Sequence, residues 1–348
     1  EILIGLVGSE MCIRDSSLLG VELNNLRSEP VGYMDVKEMY PLDIEEFYHA
    51  VGMADHVIAK LRQCWQDKVP VDEFVHRRLM QAFRLYLVIG GMPHAVQTYL
   101  DTNNLQDVLA VQKSILQEYK RDIMKYKRDD SSQKLYIDEV FQLIPSELNA
   151  KNKRFILKSL NEKARFASYE NSFLWLRDTG VALPTYNIEE PKLPLLLAKT
   201  RNLFKLFQSD VGLLTSQFAG GIQLKLLGDN QAINYGAIYE NVVAQELKAH
   251  GFDLYYYNSK RFGELDFVVE YHGNVLPIEV KSGKDYERHN ALSNVMSSAE
   301  YALPEALVLC NGNVSVDGKV VYMPIYMLMF LEKEQTVNVT YKLDLSDL

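Results

Sequence analysis

The stretch GELDFVVEYHGNVLPIEVKSGK (263–284) gathers residue types that can do chemistry, at a spacing that brings them together. Strands alternate faces with a period of two. Glu264 and Asp266 therefore share a face, as do Glu279 and Lys281, while Ile278 and Val280 take the apolar side. His272-Gly273-Asn274 predicts a hairpin turn. A His272-Gly273 loop sets Asp266 opposite Glu279 and Glu264 opposite Lys281; a Gly273-Asn274 loop pairs Asp266 with Lys281. Either register puts all four on one face. Asp266 and Glu279 offer hard oxygen ligands for Mg²⁺. Such an ion lowers the pKa of a bound water and stabilises charge on a phosphodiester. Lys281 is suited to positioning that water and neutralising developing charge. Glu240, one helix upstream, supplies a third carboxylate for the metal. The plain alternative is a solvated hairpin face with a cross-strand ion pair worth about 0.2–1 kcal/mol.

The elements around this hairpin read as α/β. GAIYENVVAQELKAHG (236–251) is a helix closed by Gly251, with Tyr239, Val243 and Leu247 packing on the sheet. DLYYYNS, GELDFVVEY and VLPIEVKSG are successive strands, followed by helical text at 286–302, a strand at 305–310 and a last apolar element at 320–329. Upstream, apolar spacing of three and four predicts helices over 54–66, 72–90 and 104–127, with Gly90-Gly91 and Pro93 marking a tight turn between them. Shorter helical patterns follow at 133–144, 151–163 and 167–179, the first pair parted by Ile144-Pro145. A strand at 181–188 comes next. Three compact helices and a strand outline a winged-helix module; a plain helical bundle fits the pattern equally. LFKLFQSDVGLL (203–214) reads as strand, turn at Ser209-Asp210 and short helix.

GAIYENVVAQEL, GELDFVVE and LPIEVKSG resemble the C-terminal domain of prokaryotic AAA-superfamily ATP-binding proteins, domain of unknown function 4143, which is similar to the restriction-endonuclease-like PD-(D/E)XK fold. SLLGVELN, MYPLDIEEF, YLVIGGMPHAVQTYL, YKRDIMKY, IPSELNAKNKRFILKSLNEKAR and LFKLFQSDVGLL extend the resemblance over about 17–330. It implies Glu240 as the helical acid, Asp266 as the hairpin acid, and Glu279 with Lys281 as the ExK pair, with Mg²⁺ as metal. It also implies a P-loop, GxxxxGK[ST], whose amides cradle phosphates. This chain has none: its Gly-Lys pairs, Gly283-Lys284 and Gly318-Lys319, are followed by Asp and Val. GLVGSEMCIRDS (5–16) resembles a translated sequencing adaptor, against the plain reading of 1–8 as a first strand. The expected organisation is an α/β multidomain chain: 1–16 foreign, 17–52 a remnant of the AAA ATPase core, 53–130 a helical lid, 131–200 a winged-helix-like module, 201–230 a connector, and 231–348 the restriction-endonuclease-like domain. ATP binding is expected of the intact protein and not of this chain.

The chain has 348 residues and a net charge of −9, with 47% hydrophobic and 24% charged residues. That composition is globular and excludes a disordered or disulfide-scaffold chain. The acidic balance argues against coating nucleic acid. The window 120–165, with 12 basic residues against seven acidic ones, is the local exception. Lys151, Lys153 and Arg154 within it are candidate DNA contacts, with an interface to the ATPase core or a solvated face as alternatives. Cys12, Cys64 and Cys310 are far apart, which fits a reducing, cytoplasmic setting. No apolar run reaches the roughly 18–20 residues of a membrane span. Three functions follow: a fragment of an ATP-binding protein with a nuclease-like domain, a Mg²⁺-dependent nuclease acting on DNA, or a DNA- or protein-binding regulatory module.

Overall fold

The computed structural model describes residues 6–7, 10–11, 38–125, 131–150, 153–156, 166–218, 221–228 and 235–333. Most of the helix expected at 151–163, and Lys151, lie outside these. Within 1–16 the described part is a short antiparallel pair, β1 (Leu6–Val7) with β2 (Glu10–Met11).

The helical half begins at α1 (Ile44–Ala50), which a capping box starts: Glu46 N donates to Asp43 Oδ1 at 2.8 Å and Asp43 N to Glu46 Oε2 at 3.1 Å. There follow α2 (Asp55–Asp67), α3 (Glu73–Ile89), α4 (Pro93–Thr102) and α5 (Leu105–Lys125), close to the spans that apolar periodicity predicts. Gly90, at φ 73°, ends α3, and Pro93 opens α4, where its missing N–H costs nothing. The helix α6 (Ser131–Asn149) runs through Pro145, so the expected break at Ile144-Pro145 is absent. Ile144 and Leu148, four residues apart, are both buried. Packing of that stripe carries the helix past the lost hydrogen bond.

Beyond α7 (Phe166–Asp178) the chain builds one mixed sheet from β3 (Ala182–Ile188), β4 (Lys199–Gln208), β5 (Tyr255–Ser259), β6 (Gly263–Tyr271), β7 (Asn274–Val280), β8 (Ala306–Cys310), β9 (Ser315–Asp317) and β10 (Val320–Pro324). Its order is β4-β3-β5-β6-β7-β8-β10-β9. β3 pairs antiparallel with β4 and parallel with β5. The expected division into 131–200, 201–230 and 231–348 therefore runs through a single sheet: the strand assigned to a winged helix and the strand of the connector are both hydrogen-bonded into it. The short helices α8 (Val211–Ser216) and α9 (Ile222–Leu227) return the chain to α10 (Gly236–Ala249), and α11 (Asn290–Met296) is much shorter than the helix expected at 286–302.

The sheet is covered on both faces. One core joins Phe267, Ile278 and Leu309 of the sheet to α10 and the helical half, from Ile44 to Leu331. The other joins Tyr257, Val268 and Val308 to Leu292 and Val295 of α11. The helix α10 is buried from Ala237 to Leu247, polar residues included, and Asn241 and Gln245 find partners on the neighbouring backbone. Asn241 exchanges two bonds with the backbone of Gln208, at 2.8 and 3.0 Å, and Gln245 accepts from Val211 N at 2.9 Å. These bonds fix β4 and α8 against α10.

Candidate functional site

The hairpin β6–β7 turns on His272 (φ 48°) and Gly273 (φ 68°), the two positive φ values that a type I′ turn needs. Phe267 pairs with Ile278 and Tyr271 with Asn274, which is the register of the His272-Gly273 loop. On the other side of β6, Tyr255 pairs with Val268 and Tyr257 with Leu265. Asp266 and Phe267 thus oppose the single residue Tyr256. This bulge re-aims Asp266, whose Oδ2 accepts from Val280 N at 2.9 Å.

The acids do not form one set with Lys281. Lys281 Nζ lies 2.7 Å from Glu279 Oε1. The other carboxylates converge on Lys205 of β4, a residue outside the expected site. Lys205 Nζ is 2.8 Å from Glu264 Oε1, 3.4 Å from Glu240 Oε2 and 4.0 Å from Asp266 Oδ1. It is fully buried and crosses the face of Tyr256, 5.1 Å from the ring centroid. Lys153 pairs with the other oxygen of Glu240, and Asn258 donates to Glu264 Oε2.

The electrostatics follow this geometry. Burial pushes the Glu240 carboxyl up, yet Lys205 and Lys153 outweigh it and hold the group below its ordinary range. Burial would lower Lys205, but Glu240, Asp266 and Glu264 raise its ammonium above the ordinary lysine value. Asp266 is pushed well above the usual carboxylate range by burial and by the Glu240 and Glu279 charges. Burial raises Glu279 too, against the pull of Lys281. Burial would lower the Lys281 ammonium, but Glu279, with Asp266 and Glu240, raises it above the ordinary lysine value.

Mg²⁺ was expected on Glu240, Asp266 and Glu279, and the donor set does not fit it. Both oxygens of Glu240 are engaged by lysines, Asp266 Oδ2 takes a backbone N–H, and Asp266 Oδ1 faces Lys205. Among the described residues no three His, Cys, Asp or Glu side chains converge as a ligand group. Glu279 Oε2 is buried without a hydrogen-bond partner among the described residues, so one oxygen of this face is left over, too few for a chelating site.

Of the expected DNA contacts, Lys151 lies outside the described residues. Lys153 and Arg154 turn inward, Lys153 onto Glu240 and Arg154 towards the Tyr256 hydroxyl. Their segment is tied down by Phe155 N donating to Phe204 O at 3.0 Å and Ile156 N to Glu147 Oε2 at 2.8 Å. His289 is a buried partner of the Tyr322 hydroxyl at 2.7 Å, and His94 is exposed in the first turn of α4.

A second polar cluster joins residues 42–44 to α10. Ile44 N donates to Glu246 Oε1 at 3.0 Å, and the Tyr86 hydroxyl donates to Leu42 O at 2.7 Å. His250 Nε2 stands 3.6 Å from Asp43 Oδ2 and 3.9 Å from Glu246 Oε2, while His250 Nδ1 meets Leu331 O at 2.8 Å. Burial would lower the imidazolium, but Asp43 and Glu246 raise it to about 9. Burial lifts Glu246 to about 8.

Two stretches of the chain match known family models. Residues 235–328 match that of a domain of unknown function, DUF4143. The match begins at α10 and ends in the apolar turn after β10, and it agrees with the resemblance drawn from GAIYENVVAQEL, GELDFVVE and LPIEVKSG. Residues 80–223 match a second domain of unknown function, DUF8612. That match crosses the expected boundaries of lid, winged-helix-like module and connector, and it contains both β4 and Lys205. No curated protein and no solved structure matches the chain. No helix among the described residues is long and apolar enough to cross a membrane.

Proposed function

We propose that this chain is the part of an AAA-superfamily ATP-binding protein that follows the nucleotide site, and that it couples that site to a nuclease-like C-terminal domain. The observation that carries the reading is the latch of residues 42–44 onto α10. Ile44 N and Asp43 engage Glu246 and His250 at the end of α10, so displacement of residues 42–44, which fall in the stretch expected to be the remnant of the ATPase core, pulls on the helix that carries Glu240. The lack of GxxxxGK[ST] supports a chain that holds no ATP by itself. Two measurements test this. Titration with a fluorescent ATP analogue is expected to give no saturable binding; tight binding refutes the assignment. In His250→Ala, amide exchange is expected to rise at 42–51 and through 236–250 together. A rise confined to 42–51 refutes the coupling.

The alternative, a Mg²⁺-dependent nuclease, is less favoured, because lysines hold both oxygens of Glu240 and Asp266 Oδ2 takes a backbone N–H. It would give metal-dependent DNA cleavage lost in Asp266→Ala. A DNA-reading module is less favoured, because Lys153 is engaged by Glu240 and Arg154 turns inward towards Tyr256.

A further inference from the structure

The acidic face has an unusual resident. Lys205 sits in an otherwise apolar stretch of strand, LFKLF (203–207), fully buried. A lysine is almost never fully buried unless paired. Here it is paired three times over, at 2.8, 3.4 and 4.0 Å from Glu264, Glu240 and Asp266. We propose that the Lys205 ammonium is the permanent cation of this face, standing where a divalent ion would have to stand, so that the domain keeps a nuclease-like frame without binding Mg²⁺.

Three features hold the ammonium there. First, β4 cannot slide, because Asn241 clamps both the N–H and the carbonyl of Gln208, at 2.8 and 3.0 Å. Second, Lys205 Nζ lies over the Tyr256 ring, 5.1 Å from its centroid, and the ring supports a cation on its face. Third, Lys153 closes the remaining oxygen of Glu240, and its segment is bonded to β4 through Phe155 N and Phe204 O at 3.0 Å. Phe155 is wedged against Phe173 at 5.2 Å and stacked on Phe204 at 6.2 Å. A divalent ion on Glu240 or Asp266 would meet a fixed positive charge at contact range in a poorly screened site. The charge itself is set locally: Glu240, Glu264, Asp266 and Glu279 face the ammoniums of Lys153, Lys205 and Lys281. Occupation of the face by Lys205 is independent of the coupling between residues 42–44 and α10, and either can fail without the other.

The test is Mn²⁺ binding to the full chain, by calorimetry and by melting temperature, in wild type, Asp266→Asn, Lys205→Met, Lys205→Arg and Lys205→Met/Asp266→Asn. Lys205→Met keeps the stem and removes the charge. Wild type and Lys205→Arg are expected to bind no Mn²⁺ at this face. Lys205→Met is expected to gain saturable binding and a melting temperature that climbs with the logarithm of Mn²⁺ concentration. Asp266→Asn should abolish that gain. If Lys205→Met does not fold in EDTA, refolding in millimolar Mn²⁺ is the readout, and recovery is the expected result. Saturable Mn²⁺ binding by wild type that Asp266→Asn removes would overturn the proposal. So would a Lys205→Met protein that is folded and indifferent to Mn²⁺, or one that Mn²⁺ fails to rescue.

Discussion

Replacing His250 by Gln removes the cation of the latch while keeping a polar side chain beside Leu331 O. His250 is 8% exposed at its side chain, so solvent screens it little. Against the burial that would lower it, Asp43, Glu246 and the Leu331 carbonyl raise its pKa from 6.5 to about 9. A tenfold change in proton affinity corresponds to about 1.4 kcal/mol, so the proton on His250 contributes roughly 3 kcal/mol of folding stability. The sign follows from which state holds the proton. Below pH 6.5 both folded and unfolded chains bind it and the contribution is complete. Between 6.5 and about 9 the folded chain alone keeps it, and stability falls as pH rises. Above that range nothing remains. Urea denaturation of wild type and His250→Gln at intervals from pH 6 to pH 9 should show a gap of about 3 kcal/mol at pH 6 that closes by pH 9. A gap that stays constant with pH would show that His250 acts by packing and that the ion-pair account of the latch is wrong.

The neighbouring carboxyl also makes stability fall as pH rises, but there it is the unprotonated, charged form that is costly. Glu246 is raised to about 8 by burial, so wild type loses stability as pH climbs from 4.5 through 8; Glu246→Gln, which can still accept from Ile44 N, should be more stable than wild type at pH 8 by about 1–3 kcal/mol. Lower stability of that variant at every pH would count against it. Asp210 caps α8 through Leu213 N at 2.8 Å and accepts from Gly91 N at 2.6 Å. Asp210→Ala should cost about 1–3 kcal/mol by chemical denaturation. Because burial raises Asp210 to about 6, the cost should be larger at pH 5 than at pH 7. Gly263 has φ 99°, and a methyl there would lie 2.9 Å from Ala291 Cβ. Gly263→Ala should lower stability by about 1–3 kcal/mol, and an unchanged melting curve would contradict the backbone argument.

The hairpin was legible because its cause is local. His272-Gly273-Asn274 marks the turn and leaves two registers, and the positive φ of His272 and Gly273 settles the one that brings Asp266 to the end of β7. The helices α2, α3 and α5 were legible for the same reason, since apolar spacing needs no knowledge of partners. What escaped depends on contacts distant along the chain. The parallel pairing of Tyr186 with Tyr255 draws β3 and β4 into the C-terminal sheet, and nothing near residue 186 announces it. The run through Pro145 rests on burial of Ile144 and Leu148, which propensity alone opposes. Lys205 left a signal that could have been used: a lysine between Phe204 and Leu206 in an apolar strand must find carboxylates or leave the core. The acids it finds are 35 or more residues away, and two of them, Glu240 and Asp266, were already assigned to a metal.

Magnesium and manganese titration of the intact chain by calorimetry, beside Asp266→Ala/Glu279→Ala, tests the central claim most directly. If the lysines fill the acidic face, wild type and the double variant give the same heats, with no saturable site in either. A saturable site in wild type that the double variant lacks would contradict the account and return the domain to the metal-dependent nucleases.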